Sequence, residues 1–420
     1  MRTLLLALLT LLPVAVQAQS AALAREVSND VRYLSDDRLE GRKIGSPGAD
    51  SAAEYLARRF RQVGLQPGPT GWFQPFTVDP TAPAAAHAGL ANGAMGRNVV
   101  GILPGRDRRL RDEVIVVGAH YDHLGLGGFG SLAPDSTGSI HNGADDNASG
   151  VAALLAVARE LKDHRPGRTV VFLAFSGEEE GLLGSAYYVK HPLYPLERTV
   201  AMLNFDMVGR LRENKLIVYG AATATEWSWL LDSLNARYRF DLHASGDGYG
   251  PSDHASFYAA HRPVLHFFTD LHEDYHRPSD DWAAINAEGI AKVADYAADI
   301  VTVIGRRPAW LTFVDLPPPR DTSAAAVTPG YGAYLGTIPD MSENPGGVRI
   351  TGVRAGSPAD AGGLKGGDVL LKIGDRDIPD LQAMTDALRS HAPGDVVEIV
   401  FLRDGQRQTT RVTLGRRGGS

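Results

Sequence analysis

The stretch "VVFLAFSGEEEGLLGS", residues 170–185, carries six apolar residues, Val170 to Phe175, almost directly into three glutamates, Glu178, Glu179 and Glu180. The apolar run reads as a buried strand, and the segment after it reads as the start of a helix. Three like charges beside a core repel one another and are poorly hydrated there. Either they cap a helix and face water, or a cation sits among them.

The same layout recurs on both sides. "NVVGILPG" (98–105), "EVIVVGAH" (113–120), "TVAMLNFD" (199–206), "KLIVYG" (215–220) and "RPVLHFFTD" (262–270) read as strands. "SGVAALLAVARELKDH" (149–164), "EGLLGSAYYVKH" (180–191), "TEWSWLLDSLNARY" (225–238) and "NAEGIAKVADYAADIVTVIG" (286–305) read as helices. Apolar strands alternating with amphipathic helices predict an α/β sandwich around a mostly parallel central sheet. Upstream, Ala52, Tyr55, Leu56, Phe60 and Val63 keep helical spacing until Gly64 stops it, and Pro67 to Gly96 reads as irregular surface. Trp227 and Trp229 are expected in the core.

Composition narrows the function. The chain has 420 residues, more than one ordinary domain, with 44% hydrophobic and 22% charged residues. Its net charge of -7, without a basic block, argues against nucleic acid as the main partner. Cysteine is absent, so any metal must be held by His, Asp and Glu. The opening "MRTLLLALLTLLPVAVQAQS" has the layout of a secretory signal ending near Ala18, which predicts export to the periplasm or outside the cell. No other run is long enough to span a bilayer.

Three strand-like runs end in polar residues: His120, the Glu178–Glu179 pair and Asp206. In open α/β sheets the ligand crevice lies beyond the carboxyl ends of the strands, so these groups should meet there. Taken singly, each has a plain explanation. Asp145, Asp146 or Asn147 in "HNGADDNASG" could cap a helix, and so could Asp280 or Asp281 in "EDYHRPSDDW". Taken together, uncompensated acids at one sheet edge would cost on the order of several kcal/mol, which bound cations remove. Two His and three carboxylates suit zinc ahead of cobalt or manganese.

In this order, "GAHYDHLG", "NGADDNASG", "SGEEEGLLGS", "NFDMVGR" and "YHRPSDD" resemble the motifs of secreted bacterial di-zinc aminopeptidases of the leucyl type. The resemblance spans about Leu34 to Ile304 and includes "YLSDDRLEGRKIGSPG". It implies the mixed, mostly parallel sheet of the zinc exopeptidases. It also implies two Zn2+ ions, with Co2+ or Mn2+ as substitutes: His120 and Asp206 on one, Glu179 and His276 on the other, and Asp146 rather than Asp145 bridging. A cis peptide after Asp146 is expected from the same family. Asp122 would orient His120. Glu178 would be the general base that generates a metal-bridging hydroxide, and Tyr275 would donate to the oxyanion. Aligning on the glutamates makes Glu180 an outward-facing helix-start acid. His123, His141, His254, His266 and His272 are expected to be structural or exposed. Asp253 in "SDHASF" is placed at the pocket floor, and Phe129, Tyr249 and Phe268 are candidate specificity positions.

The implied activity is removal of N-terminal residues from peptides with a free N-terminus. Carboxypeptidase or dipeptidase action, glutaminyl cyclase-like acyl transfer on the same fold, and a purely binding role are the alternatives. Beyond "LPPPRDTSAAAVTPG", the segments "YLGTIP", "SPADAGGLKGGD" and "PGDVVEIVFLRDGQ" resemble a PDZ domain. That likeness implies a C-terminal peptide ligand whose carboxylate is caught at Tyr334, Leu335 and Gly336. The expected organisation is a signal at 1–18, a catalytic domain at 19–315, a linker at 316–330 and a PDZ domain at 331–416.

Overall fold

The computed structural model describes residues 21–415, apart from 79–89, 91–93, 129, 134–135, 247, 317–332, 340–345, 354–355, 380–382, 385–386 and 389. The expected signal, nearly all of the linker, and Phe129 lie outside the described residues. The chain divides into two compact units.

The first unit opens with helix α1 (21–34) and helix α2 (Pro47–Val63). Helix α2 begins where the Ser46 side chain accepts the Ala49 N–H. It stops at Gly64, whose φ of 93° only glycine adopts freely. Its Ala52, Leu56, Phe60 and Val63 are buried, as their spacing requires.

Eight strands form one sheet in the order β1-β2-β4-β3-β5-β8-β6-β7. They are β1 (Phe73–Thr77), β2 (Met95–Leu103), β3 (Val114–His120), β4 (Thr169–Phe175), β5 (Thr199–Phe205), β6 (Lys215–Tyr219), β7 (Asp241–Ser245) and β8 (Val264–Phe268). Strand β3 pairs in parallel with β4 and β5, and β5 with β8. The outer pairs β1–β2, β2–β4 and β6–β8 are antiparallel. The sheet is therefore mixed, with a parallel centre.

Alternation divides the core into two layers. Ile115, Val117, Phe172 and Ala174 join one cluster with α2, α3 (Gly150–Asp163), α5 (Trp227–Tyr238) and α7 (Ala287–Arg306). Val116, Val171, Leu173 and Phe175 join another with Tyr188 of α4 (Leu183–Lys190) and Phe257 of α6 (His254–Ala259). Every residue of β3, β4 and β5 is buried, which is why these strands read as unbroken apolar runs.

Three expectations change. Strand β1 lies within the stretch read as irregular; Pro75 is tolerated there because β1 is an edge strand. Strand β7 escaped notice because it is the other edge, partly exposed and lacking an apolar run. Trp227 is fully buried, but Trp229, two positions on, is 52% exposed, as a helix of 3.6 residues per turn demands.

The second unit is a β-rich fold with strands in the order β14-β13-β11-β10-β9, β12 pairing with β11. They are β9 (Thr337–Pro339), β10 (Val348–Val353), β11 (Val369–Ile373), β12 (Arg376–Asp377), β13 (Val396–Arg403) and β14 (Gln406–Thr413). A one-turn helix, α8 (Pro358–Ala361), is capped by Ser357. Leu335, Ile350, Leu370, Ile373, Ile399 and Leu414 form its core. Among the described residues, no helix is long and apolar enough to cross a membrane.

Candidate metal centre

The parallel centre of the sheet brings the expected side chains together. His120 is the last residue of β3, and Asp206 follows directly on β5. Glu178 and Glu179 lie three and four residues beyond β4, and His276 sits on the loop after β8. Asp146 lies in the kinked turn Ala144–Ser149 that leads into α3. All are at the carboxyl edge of the sheet.

Asp146 is the centre of the arrangement. Its Oδ1 is 3.3 Å from His120 Nε2, and its Oδ2 is 3.0 Å from His276 Nε2. His120 Nε2 is also 3.4 Å from Asp206 Oδ1, and His276 Nε2 is 3.3 Å from Glu179 Oε2. Donors at 2.0–2.1 Å around a tetrahedral zinc would stand about 3.3–3.4 Å apart. His120 Nε2 and Asp206 Oδ1 are buried without a hydrogen-bond partner. Spacing, unmet polar atoms and a thiol-free donor set all fit divalent cations here. Asp145 turns away, its Oδ1 bonded to Ser149 Oγ at 2.8 Å and to the Gly209 N–H at 2.6 Å.

Main-chain geometry holds these groups in place. The peptide after Asp146 is cis. Gly143 has φ +55°, and a Cβ there would lie 2.0 Å from the Asp146 carbonyl oxygen, so the turn requires glycine. His276 Nδ1 is 2.8 Å from the Gly130 carbonyl, which leaves Nε2 bare toward the acids. Arg42, fully buried, donates from Nε to the Tyr121 carbonyl at 2.7 Å. Its Nη groups bond the carbonyls of Leu34, of Asn142 at 2.7 Å and of Gly143 at 3.0 Å.

Asp122 holds the site differently from the expectation. His120 Nδ1 bonds the main-chain carbonyl of Asp122 at 3.2 Å, while the carboxylate stands 3.8 Å away. The carboxylate instead accepts the N–H groups of Glu178 at 3.3 Å and Glu179 at 3.4 Å. Asp280 likewise serves the metal-facing turn, whereas Asp281 caps the short helix at Trp282.

Charge follows this geometry. Burial pushes the Glu178 carboxyl well above its ordinary range, helped by Glu179, Asp206 and Asp253 against the pull of His120. Burial also acts on Glu179, but His276 and His123 outweigh it and bring that acid down to about 2. Glu180 corrects the outward-facing expectation: it is 3% exposed, and burial followed by Asp122 and Glu179 raises it to about 9. The turn after Gly177 folds its side chain inward, which a helix register read from sequence does not reveal.

Tyr275 stacks on His276 with centroids 3.9 Å apart. Burial and the surrounding carboxylates raise its hydroxyl well above the usual value. His254 and His266 are buried and stacked at 4.4 Å beside Asp253, and His141 bonds Ser131 and Ser139. Phe268 is buried and Tyr249 is 37% exposed. His123 is the surprise: buried, with Nδ1 2.6 Å from Glu179 Oε1. Its only sequence signal was its place three residues beyond His120.

Residues 98–301 match peptidase family M28. Residues 333–414 match the PDZ domain. The chain is similar to aminopeptidase YwaD of Bacillus subtilis, 30% identical over 209 residues. This match covers 47% of the chain and 42% of the relative, so the chain spans less than half of that protein's length. BSAP, a zinc aminopeptidase from Bacillus subtilis, superposes with a TM-score of 0.53 at 20% identity, covering 67% of this chain and 95% of that one. Porphyromonas gingivalis glutaminyl cyclase gives 0.54 at 17% identity, covering 66% and 97%. At these identities the two structures speak for the fold alone.

Proposed function

We propose that the chain is an exported, zinc-dependent aminopeptidase with two ions, His120 and Asp206 serving one, Glu179 and His276 the other, and Asp146 both. The observation that carries this is the division of the Asp146 carboxylate, one oxygen facing each imidazole. Bound zinc lowers the pKa of water to about 7 and polarises a carbonyl.

The remaining work falls to the chain. Glu178 Oε2 stands 4.0 Å from His120 Nε2, outside the spacing of the ligand pairs, so it is left to move protons. Its carboxylate takes a proton from the attacking water and returns it to the leaving amine nitrogen. The Tyr275 hydroxyl, kept protonated by its raised pKa, donates to the carbonyl oxygen as negative charge develops there. The acid-rich centre favours a substrate with a free α-ammonium group.

Zinc-loaded protein is expected to cleave aminoacyl p-nitroanilides and to leave N-blocked substrates intact. No turnover across the panel, or turnover of blocked substrates only, would overturn the proposal. Cyclisation of N-terminal glutaminyl peptides instead would favour the acyl-transfer alternative. Export rests on the composition of residues 1–18 and is tested by locating the mature protein after fractionation.

For the PDZ domain we propose capture of a peptide C-terminus beside β9, the last strand of its sheet. The Tyr334 N–H already donates to Gly415 at 2.8 Å, so the carboxylate falls to the N–H groups of Leu335 and Gly336. Titration with a C-terminal peptide library and its amidated counterparts tests this; equal binding of both would reject it.

A further inference from the structure

His123 stands outside the five-residue set, yet its side chain is wholly buried against that set. Its Nδ1 lies 2.6 Å from Glu179 Oε1 and 4.0 Å from Asp146 Oδ1. Its ring meets that of His276 edge-on with centroids 5.6 Å apart. Glu179 uses its other oxygen, Oε2, toward His276.

These distances separate two roles. Donors sharing a tetrahedral ion stand about 3.3–3.4 Å apart, close to the 3.0–3.4 Å of the pairs that His120 and His276 make with Asp146, Asp206 and Glu179. At 2.6 Å, Nδ1 and Oε1 are instead hydrogen-bonded to each other. A carboxylate only accepts, so the proton is on Nδ1 and Nε2 is a bare acceptor. That tautomer agrees with the surroundings, because Nε2 is buried without a partner, and an orphaned acceptor is easier to bear than an orphaned N–H. The ring has little room to turn: a Cβ at Gly143 would come within 2.5 Å of its Cγ and Cδ2. Backbone thus packs against the imidazole, and the imidazole fixes one oxygen of Glu179.

We propose that His123 is a positioning residue, whose Nδ1–H holds Glu179 Oε1 so that Oε2 is presented to a divalent cation with His276 and Asp146. This rests on the two-ion assignment above. Partners of this kind change metal affinity by about 10–100-fold when removed.

The test uses the full chain with His123→Leu and His123→Asn, the asparagine amide falling near the position of Nδ1. Zinc binding is measured in competition with a chromophoric chelator, cobalt binding by visible absorption, and folding by the Tm of the metal-free protein. The expected result is that His123→Leu weakens one of two zinc equivalents about 10–100-fold and alters the cobalt bands. His123→Asn should restore most of both. Equal zinc affinities in parent and variants would overturn the inference while leaving the metal centre intact. So would an affinity loss that His123→Asn does not repair and that follows the metal-free Tm. A parent that binds no zinc would overturn the metal centre and this inference together.

Discussion

The Asp280 carboxylate accepts the main-chain N–H groups of Asp145 at 2.9 Å and Asp146 at 3.1 Å, across 135 and 134 residues of chain. It fixes the turn that aims Asp146 at both imidazoles. Asp280→Ala strands two buried N–H groups and should cost about 2–6 kcal/mol, at about 1–3 for each. It should also weaken zinc binding about 10–100-fold. Urea unfolding and chelator competition check the two effects separately.

Glu178 and Glu179 are neighbours with different spacing to the imidazoles, and their amide variants should differ in kind. Glu178→Gln is expected to lower kcat about 10²–10⁴-fold with both zinc equivalents retained. Glu179→Gln should lose zinc as well as activity. The reverse pattern in zinc content, read by elemental analysis, would exchange the two assignments.

Arg42 spends its buried guanidinium on four backbone carbonyls. Arg42→Ala should destabilise the unit by about 3–5 kcal/mol, because the carbonyls lose a donor that water cannot replace. Arg42→Lys keeps the charge but not the fork, so it should recover only part of that loss in urea titrations.

Asp295, on α7, is raised to about 6 by burial, with Glu160 and Asp299 adding repulsion against Arg237. Its folded pKa lies above the ordinary carboxyl value of 3.8, so folding favours the protonated form. This favourable contribution is complete below about pH 4 and is lost as pH rises through 6. Asp295→Asn should therefore raise stability at pH 7 by about 1–2 kcal/mol, discounted for partial exposure. The gain should vanish at pH 4, which unfolding curves at both values would show.

Much of the centre was legible because apolar strands ended in His120 and Asp206, and because motif order restricted the rest. What stayed hidden depends on backbone positions. No sequence pattern marks the Gly130 carbonyl as the partner of His276, or the Asp122 carbonyl, rather than its carboxylate, as that of His120. Asp280 looked like a helix cap because a cap and a turn-holding acid share one residue type. Glu180 looked exposed because the tight turn at Gly177 breaks the helical register on which that expectation stood. The edge strands β1 and β7 were missed because edges need not be apolar on both faces.

The Arg42 clamp also sets an order of events during synthesis. The guanidinium leaves the ribosome a hundred residues ahead of the Asn142 carbonyl it must reach. Until that carbonyl emerges, the growing polypeptide can offer it only the earlier partners and water. The clamp that ties the N-terminal arm to the sheet can therefore be completed only once the chain as far as Gly143 is in place.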